Sequence, residues 1–144
     1  MNILILIIFG ILGAVLTFYA SDKFKISAVK SSALLSLMLA LFFYFFPSVV
    51  NSFISKNIPL VFFGTSFIGM VSPQIKVGYK RLAIAGAIFP LLFIFKSNFF
   101  EGFGGALGAL AFISLLATLG FSDLLMNKRN ILKSIIYIKN KVNK

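Results

Sequence analysis

The chain has 144 residues, of which 60% are hydrophobic and 12% charged, and its formal net charge is +11. This composition excludes an ordinary soluble domain, in which about a quarter of the residues are charged. The sequence contains neither cysteine nor histidine, which excludes disulfides, thiolate nucleophiles, imidazole bases and the usual zinc and haem sites.

Five apolar blocks follow one another along the chain, over residues 3–20, 31–46, 58–71, 82–95 and 103–126. None has a charge at its centre. Because about twenty apolar residues cross the hydrocarbon core of a bilayer, the blocks predict transmembrane helices. We expect an all-α helical bundle with five membrane spans over residues 1–126. The first block lacks a basic leader and runs long, so we expect a retained helix rather than a cleaved signal peptide.

The basic residues divide unevenly between the two ends of these spans. If all five blocks cross, one side receives only Lys56 and Lys96. The other side receives twelve basic residues: Lys23, Lys25, Lys30, Lys76, Lys80, Arg81, Lys128, Arg129, Lys133, Lys139, Lys141 and Lys144. Cytoplasmic loops are enriched in lysine and arginine, so this split predicts an outer N-terminus and a cytoplasmic C-terminus. The same rule explains the positive net charge, so no nucleic acid partner is expected. The composition indicates a bacterial inner membrane.

The third and fourth blocks are short, with about 14 residues or roughly 21 Å of helix each. A re-entrant third block would change the split of basic residues to ten and four, and two re-entrant blocks would give nine and five. Five true spans therefore fit best, if the short blocks lengthen into their flanks and Lys56 and Lys96 reach the outer headgroups. Pro59 is expected in the first turn of the third helix, and Pro90 inside the fourth should kink it.

Small residues are the sharpest pattern within the blocks. Gly104 and Gly108 form a G-x-x-x-G pair, which Gly105 and Ala109 repeat one residue later. Such pairs flatten a helix face so that another helix can approach closely. The residues expected to pack helices are Gly13, Gly64, Gly69, Gly104, Gly105, Gly108 and Ala109. Packing within the monomer, self-association and docking onto another membrane subunit all remain open.

Thr65 and Ser66 are expected near the middle of the short third span, beside Gly64. Hydroxyls there can bond carbonyls of the preceding turn, join helices or line a solute path. Ser36, Ser114 and Thr118 are further candidates. Blocks one and two also align with blocks three and four at an offset of 51 residues, the layout of a parallel transporter repeat. The alternative that any two helical hairpins look alike stays open.

Enzyme chemistry finds little support in these residues. The acids Asp22, Glu101 and Asp123 lie at block ends, which argues against a proton relay or an ion-coupled carrier. No histidine is available as a base, and the segment around Thr65 and Ser66 lacks the G-x-S-x-G spacing of a serine nucleophile. We therefore expect no catalytic residues, no metal and no cofactor.

Residues 127–144 form an amphipathic basic tail, in which Ile131, Ile135, Ile138 and Val142 recur at helical spacing. The cations on its polar side are Lys128, Arg129, Lys133, Lys139 and Lys141. Such a helix is expected in the inner headgroup layer, attracted by anionic lipid. Its role as a topology anchor or as a partner-docking helix stays open.

These patterns favour a non-catalytic membrane protein that acts as a subunit or scaffold of a membrane assembly, packing against itself or other subunits. The alternative is a homo-oligomeric channel or transporter for a small solute, with a path near Thr65 and Ser66.

Overall fold

The computed structural model describes residues 2–46, 51–71, 77–95 and 105–142; for Ser52 and residues 125–142 it describes the backbone alone. These ranges contain five α-helices and no strand, which confirms the all-α prediction. The helices are α1 (Asn2–Phe24), α2 (Ala28–Phe45), α3 (Ser52–Gly69), α4 (Tyr79–Phe95) and α5 (Ala106–Val142).

Three helical segments in the described ranges are long and apolar enough to cross a membrane. They are Asn2–Phe24, Ala28–Phe45 and Ala106–Leu124. The apolar part of α3, Phe53–Gly69, falls just short of that length. Length and apolarity therefore support three spans rather than all five.

The start of α3 differs from the sequence prediction. The helix begins at Ser52, so Pro59 lies inside it and the expectation that this proline opens the helix is wrong. A proline within a helix removes one backbone hydrogen bond. Ile54 and Ile58, one turn apart, are both buried, and this packing holds the turns before the proline. The upstream residues lengthen α3 to 18 residues, about 27 Å.

The fifth block and the tail form one helix. α5 runs without a break from Ala106 to Val142 over 37 residues, across the expected boundary between residues 126 and 127. No glycine or proline follows Gly120 in the sequence, so nothing in the local chain chemistry ends the helix there.

The helices pack around α1 and α3. α1 contacts α2, α3 and α4, while α3 also contacts α2 and α5, and α5 packs against α4. The core contains Leu6, Val61, Leu82 and Phe89, all fully buried. We call the end of the bundle where α1 and α3 end and α2 and α4 begin the lysine-rich end. Its cations include Lys23, Lys25, Lys30, Lys80 and Arg81.

The outer surface of the bundle is apolar. On α1 the exposed residues Leu4, Ile8, Leu12 and Leu16 repeat at four-residue intervals and form a continuous stripe. α2 and α5 carry similar exposed sets: Leu34, Leu37, Met38, Leu41 and Phe45, and Phe112, Ile113, Leu116, Phe121 and Leu124. Contiguous apolar faces of this extent are typical of a surface covered by lipid or by another protein.

Candidate functional site

Gly13 and Gly69 bring the backbones of α1 and α3 together. A Cβ atom on Gly13 would lie 2.9 Å from the carbonyl oxygen of Phe62 and would overlap the hydroxyl of Thr65. A Cβ atom on Gly69 would lie 2.8 Å from the Cβ of Thr17. Real Cβ atoms essentially never come within 3.0 Å of another heavy atom, so only glycine allows this approach.

A second close contact joins α1 to α4 through Gly10 and Gly86. A Cβ on Gly10 would lie 2.5 Å from the carbonyl oxygen of Gly86 and 2.7 Å from Cγ of Pro90. Neither glycine is among the seven residues expected from the sequence to pack helices. The signal was present, because Gly10, Gly13 and Ala14 place small residues at i, i+3 and i+4 of one helix.

Gly64 and Gly13, which the 51-residue offset aligns, have different surroundings. Gly64 faces the aromatic ring of Phe89 on α4, where a Cβ atom would overlap the ring. Gly13 instead faces the backbone of α3.

Thr65 and Ser66 are both 0% exposed and bond to their own helix. The Thr65 hydroxyl lies 2.9 Å from the carbonyl oxygen of Val61 and 3.1 Å from that of Phe62, and the Ser66 hydroxyl donates to Phe63 at 2.6 Å. Both residues lie near the C-terminal end of α3, not at its middle as expected, because the helix begins six residues earlier than the predicted block.

Ser66 also joins α3 to α2. Its Oγ lies 2.6 Å from the Oγ of Ser32, and both side chains are buried. Because Ser66 donates its proton to the Phe63 carbonyl, Ser32 is the donor between the two hydroxyls. Ser32 was not predicted from the sequence; the signal was its spacing of four residues from Ser36.

Three more buried hydroxyls belong to α1 and α2. The side-chain oxygens of Thr17, Ser31 and Ser36 have no hydrogen-bond partner. The buried residues of α2 are Ser31, Ser32, Ser36 and Phe43, so this helix faces the bundle largely with hydroxyls. We call the set formed by Thr17, Ser31, Ser32, Ser36, Thr65 and Ser66 the α2 seam.

The α2 seam is polar but carries no charge. None of its six members is ionisable, and the nearby charged residues Asp22, Lys23, Lys25 and Lys30 are exposed. At the same end of the bundle, Arg81 on α4 pairs with Asp123 on α5 at 3.5 Å.

The hydroxyls predicted on α5 serve their own helix. Ser114 donates to the carbonyl of Leu110 at 2.7 Å, and Thr118 donates to the carbonyl of Ser114 at 2.8 Å. Both side chains are buried. Their hydrogen-bonding capacity is directed at the α5 backbone rather than at another helix.

Gly105 and Gly108, near the start of α5, do not pack closely against any other described helix. Gly105 and Ala109 are exposed, and a Cβ atom on Gly105 or Gly108 would meet nothing within 4 Å. Gly104 lies outside the described residues. The side chains of Lys128, Arg129, Lys133, Lys139 and Lys141 also lie outside the description, although their backbone belongs to α5.

In the part of the chain that is described, no group of three or more Asp or Glu residues could hold a metal ion. No protein-family model matches the chain, and neither a curated protein nor a solved structure is significantly similar to it.

Proposed function

We propose that the protein is integral to the bacterial inner membrane and that all five helices cross it, with the N-terminus outside. Three helices meet the length and apolarity of a span. The 18 residues of α3 and the 17 of α4 give about 27 Å and 25 Å of helix, close to the hydrocarbon thickness of about 30 Å. Lys56, exposed within the first turns of α3, can reach the outer headgroups.

Within that membrane, the proposed function is that of a non-catalytic subunit or scaffold. The observation that carries it is the contrast between glycines. Those of α1, α3 and α4 (Gly10, Gly13, Gly64, Gly69 and Gly86) contact other helices of the same chain. Gly105 and Ala109 on α5 instead form an exposed small-residue face. Small residues one turn apart allow close packing of membrane helices, so this face fits a helix of another subunit or of a second copy.

The test is gentle extraction from the native membrane followed by native mass spectrometry. We expect a defined assembly that is lost in the Gly105→Leu/Ala109→Leu variant, because leucine side chains would separate the helix backbones. Ala33→Leu/Ala40→Leu is the matched control, since it adds nearly the same bulk to exposed alanines of α2. A monomeric wild-type protein, or an assembly that the α5 substitutions leave intact, would contradict this function.

The basic end of α5 adds a lipid partner to this proposal. Lys128, Arg129, Lys133, Lys139 and Lys141 follow the apolar part of the helix, on the side proposed to be cytoplasmic. Each basic residue near an anionic leaflet contributes about 1 kcal/mol to attraction. No nucleic acid partner and no cofactor are proposed.

A homo-oligomeric channel or transporter is the second candidate, and the unpaired hydroxyls of the α2 seam favour it. Three buried hydroxyls have no partner there, and a buried hydroxyl that neither water nor a solute bonds costs about 1–3 kcal/mol. Thr65 and Ser66 are fully buried, so the conformation described here is closed at those residues. The test is flux of a panel of small solutes into liposomes; flux that survives Thr65→Val and Ser66→Ala would not pass through this path.

A further inference from the structure

We propose that α5 docks a membrane helix of another protein that continues into the cytoplasm as an acidic segment. α5 makes the same passage, because it runs unbroken from its apolar part, Ala106–Leu124, into the basic residues that follow. The docking face begins inside the span and continues along the tail. Such a partner is the subunit that the proposed function calls for, so the inference rests on that function and names the chemistry of the partner.

Apolar residues recur along α5 in steps of three and four, the spacing of a helix that packs against another helix. We call these residues the α5 stripe: Ala117, Phe121, Leu124, Ile131, Ile135, Ile138 and Val142. The first three are exposed, so α3 and α4 do not cover this part of the stripe. The other four keep the same register on the same helix. A repeat that lasts between three and four heptads is long enough to indicate helix pairing.

The charges along the stripe disfavour a second copy of this chain as the occupant. Lys128 takes the register position between Leu124 and Ile131, and Lys139 directly follows Ile138. Residues 127–144 contain six basic residues and neither Asp nor Glu. Two such helices side by side would place like charges next to each other, which destabilises the pair. A helix that carries Asp or Glu beside its own apolar residues would instead pair with these lysines.

Anionic lipid cannot take the place of this partner at the far end of the stripe. The apolar block of α5 ends at residue 126, and Lys139 and Lys141 follow it by about 20 and 23 Å along the helix. The headgroup layer is only about 5–8 Å thick, and salt screens exposed charges beyond about 8 Å. Lipid therefore attracts Lys128, Arg129 and Lys133, whereas the last two lysines of the stripe require an acidic protein segment.

The test is photo-crosslinking of the full-length chain in native membranes. The photoreactive residue benzoylphenylalanine replaces Phe121, Ile138 or Asn140 in separate variants. Ile138 and Asn140 are two residues apart and so lie about 200° apart around the helix, which makes Asn140 the matched control. We expect the probes at Phe121 and Ile138 to attach to the same protein, and the probe at Asn140 to give at least about tenfold less adduct. The peptide attached at Ile138 should contain Asp or Glu.

Charge reversal tests the chemistry of the partner. Lys139→Glu/Lys141→Glu should lower the adduct at Ile138 at least about fivefold, because two attractive pairs become repulsive. Lys139→Arg/Lys141→Arg is the control and should leave it unchanged. If charge reversal leaves the adduct unchanged, the acidic partner is wrong. If the probe at Ile138 destabilises the protein, as judged by gel filtration, Ile131 and Lys133 provide a second pair of probe and control.

The other occupants give different results. An adduct of twice the mass of the chain would identify a second copy, and the absence of a protein adduct at Ile138 would leave lipid or water there; both overturn the inference. A defined assembly without this adduct would overturn the inference alone. The expected adducts, in an assembly that survives Gly105→Leu/Ala109→Leu, would support the docking face and contradict the role proposed for the small residues.

Discussion

Gly10 on α1 and Gly86 on α4 face each other where the two helices meet. The carbonyl oxygen of each glycine lies close to the position that a Cβ atom on the other would occupy. The distances from an added Cβ are 2.5 Å and 2.7 Å. About one turn further along, α1 also meets α3 through Gly13 and Gly69. The first helix is thus held between two neighbours by backbone contact, the arrangement by which membrane helices gain dispersion energy without a hydrophobic driving force.

The first prediction concerns this contact. Gly86→Ala should destabilise the protein by about 1–3 kcal/mol, because the added methyl group forces two helix backbones apart. The measurement is the midpoint of unfolding in detergent. Gly120→Ala is the control: its Cβ would meet nothing within 4 Å, and alanine favours a helix over glycine by about 1 kcal/mol. Equal loss of stability in both variants would contradict the close contact.

The second prediction concerns the bond between Ser32 and Ser66. A double-mutant cycle of Ser32→Ala and Ser66→Ala should give a coupling energy of about 0.6 kcal/mol, the average for hydrogen bonds between membrane helices, and no more than about 1.7 kcal/mol. Ser66→Ala and Ser114→Ala should be additive, because Ser114 bonds only within α5. A coupling of zero between the two serines would mean that α2 is not held to α3 at this point.

The helices were predictable because apolar blocks between basic linkers are a strong and local signal. Their ends were less so. Pro59 was expected to open α3, but burial of Ile54 and Ile58 extends the helix six residues upstream. That burial depends on which helices surround α3, and no local pattern in the sequence contains this information.

The seam was predicted only in part, for a related reason. Thr65, Ser66 and Ser36 were singled out because hydroxyls inside apolar blocks are conspicuous. Thr17, Ser31 and Ser32 were not, since a hydroxyl near the end of a block is ordinary when read alone. The place of Ser32 beside Ser66, and of Thr17 beside Gly69, follows from helix packing. The described α5 glycines were predicted to pack closely, but no other described helix lies against them. A G-x-x-x-G pattern indicates close packing without saying which helix supplies the other face.

The third prediction concerns Arg81 and Asp123. Asp123→Asn should lower stability by no more than about 1 kcal/mol, since the Asp123 side chain is 70% exposed and the pair is screened by solvent. The loss should shrink at high salt. Arg81→Ala should cost more than Asp123→Asn, because the arginine side chain is only 28% exposed and its stem packs against the bundle. The measurement is the unfolding midpoint of each variant at low and high salt. A loss of stability in Asp123→Asn that does not depend on salt would show that the ion pair is not the cause of that loss.

The fourth prediction concerns the number of spans. Single cysteines in place of Lys30, Lys56 and Lys80 report on which side of the membrane α2, α3 and α4 begin. The chain has no other thiol. If every helix crosses, a membrane-impermeant maleimide added to intact cells labels Lys56→Cys, and the other two react only after permeabilisation. Outside labelling of Lys56→Cys shows that α2 crosses, and Lys80→Cys on the same side as Lys30→Cys then shows that α3 crosses back. A re-entrant α3 would put Lys80→Cys on the side opposite Lys30→Cys.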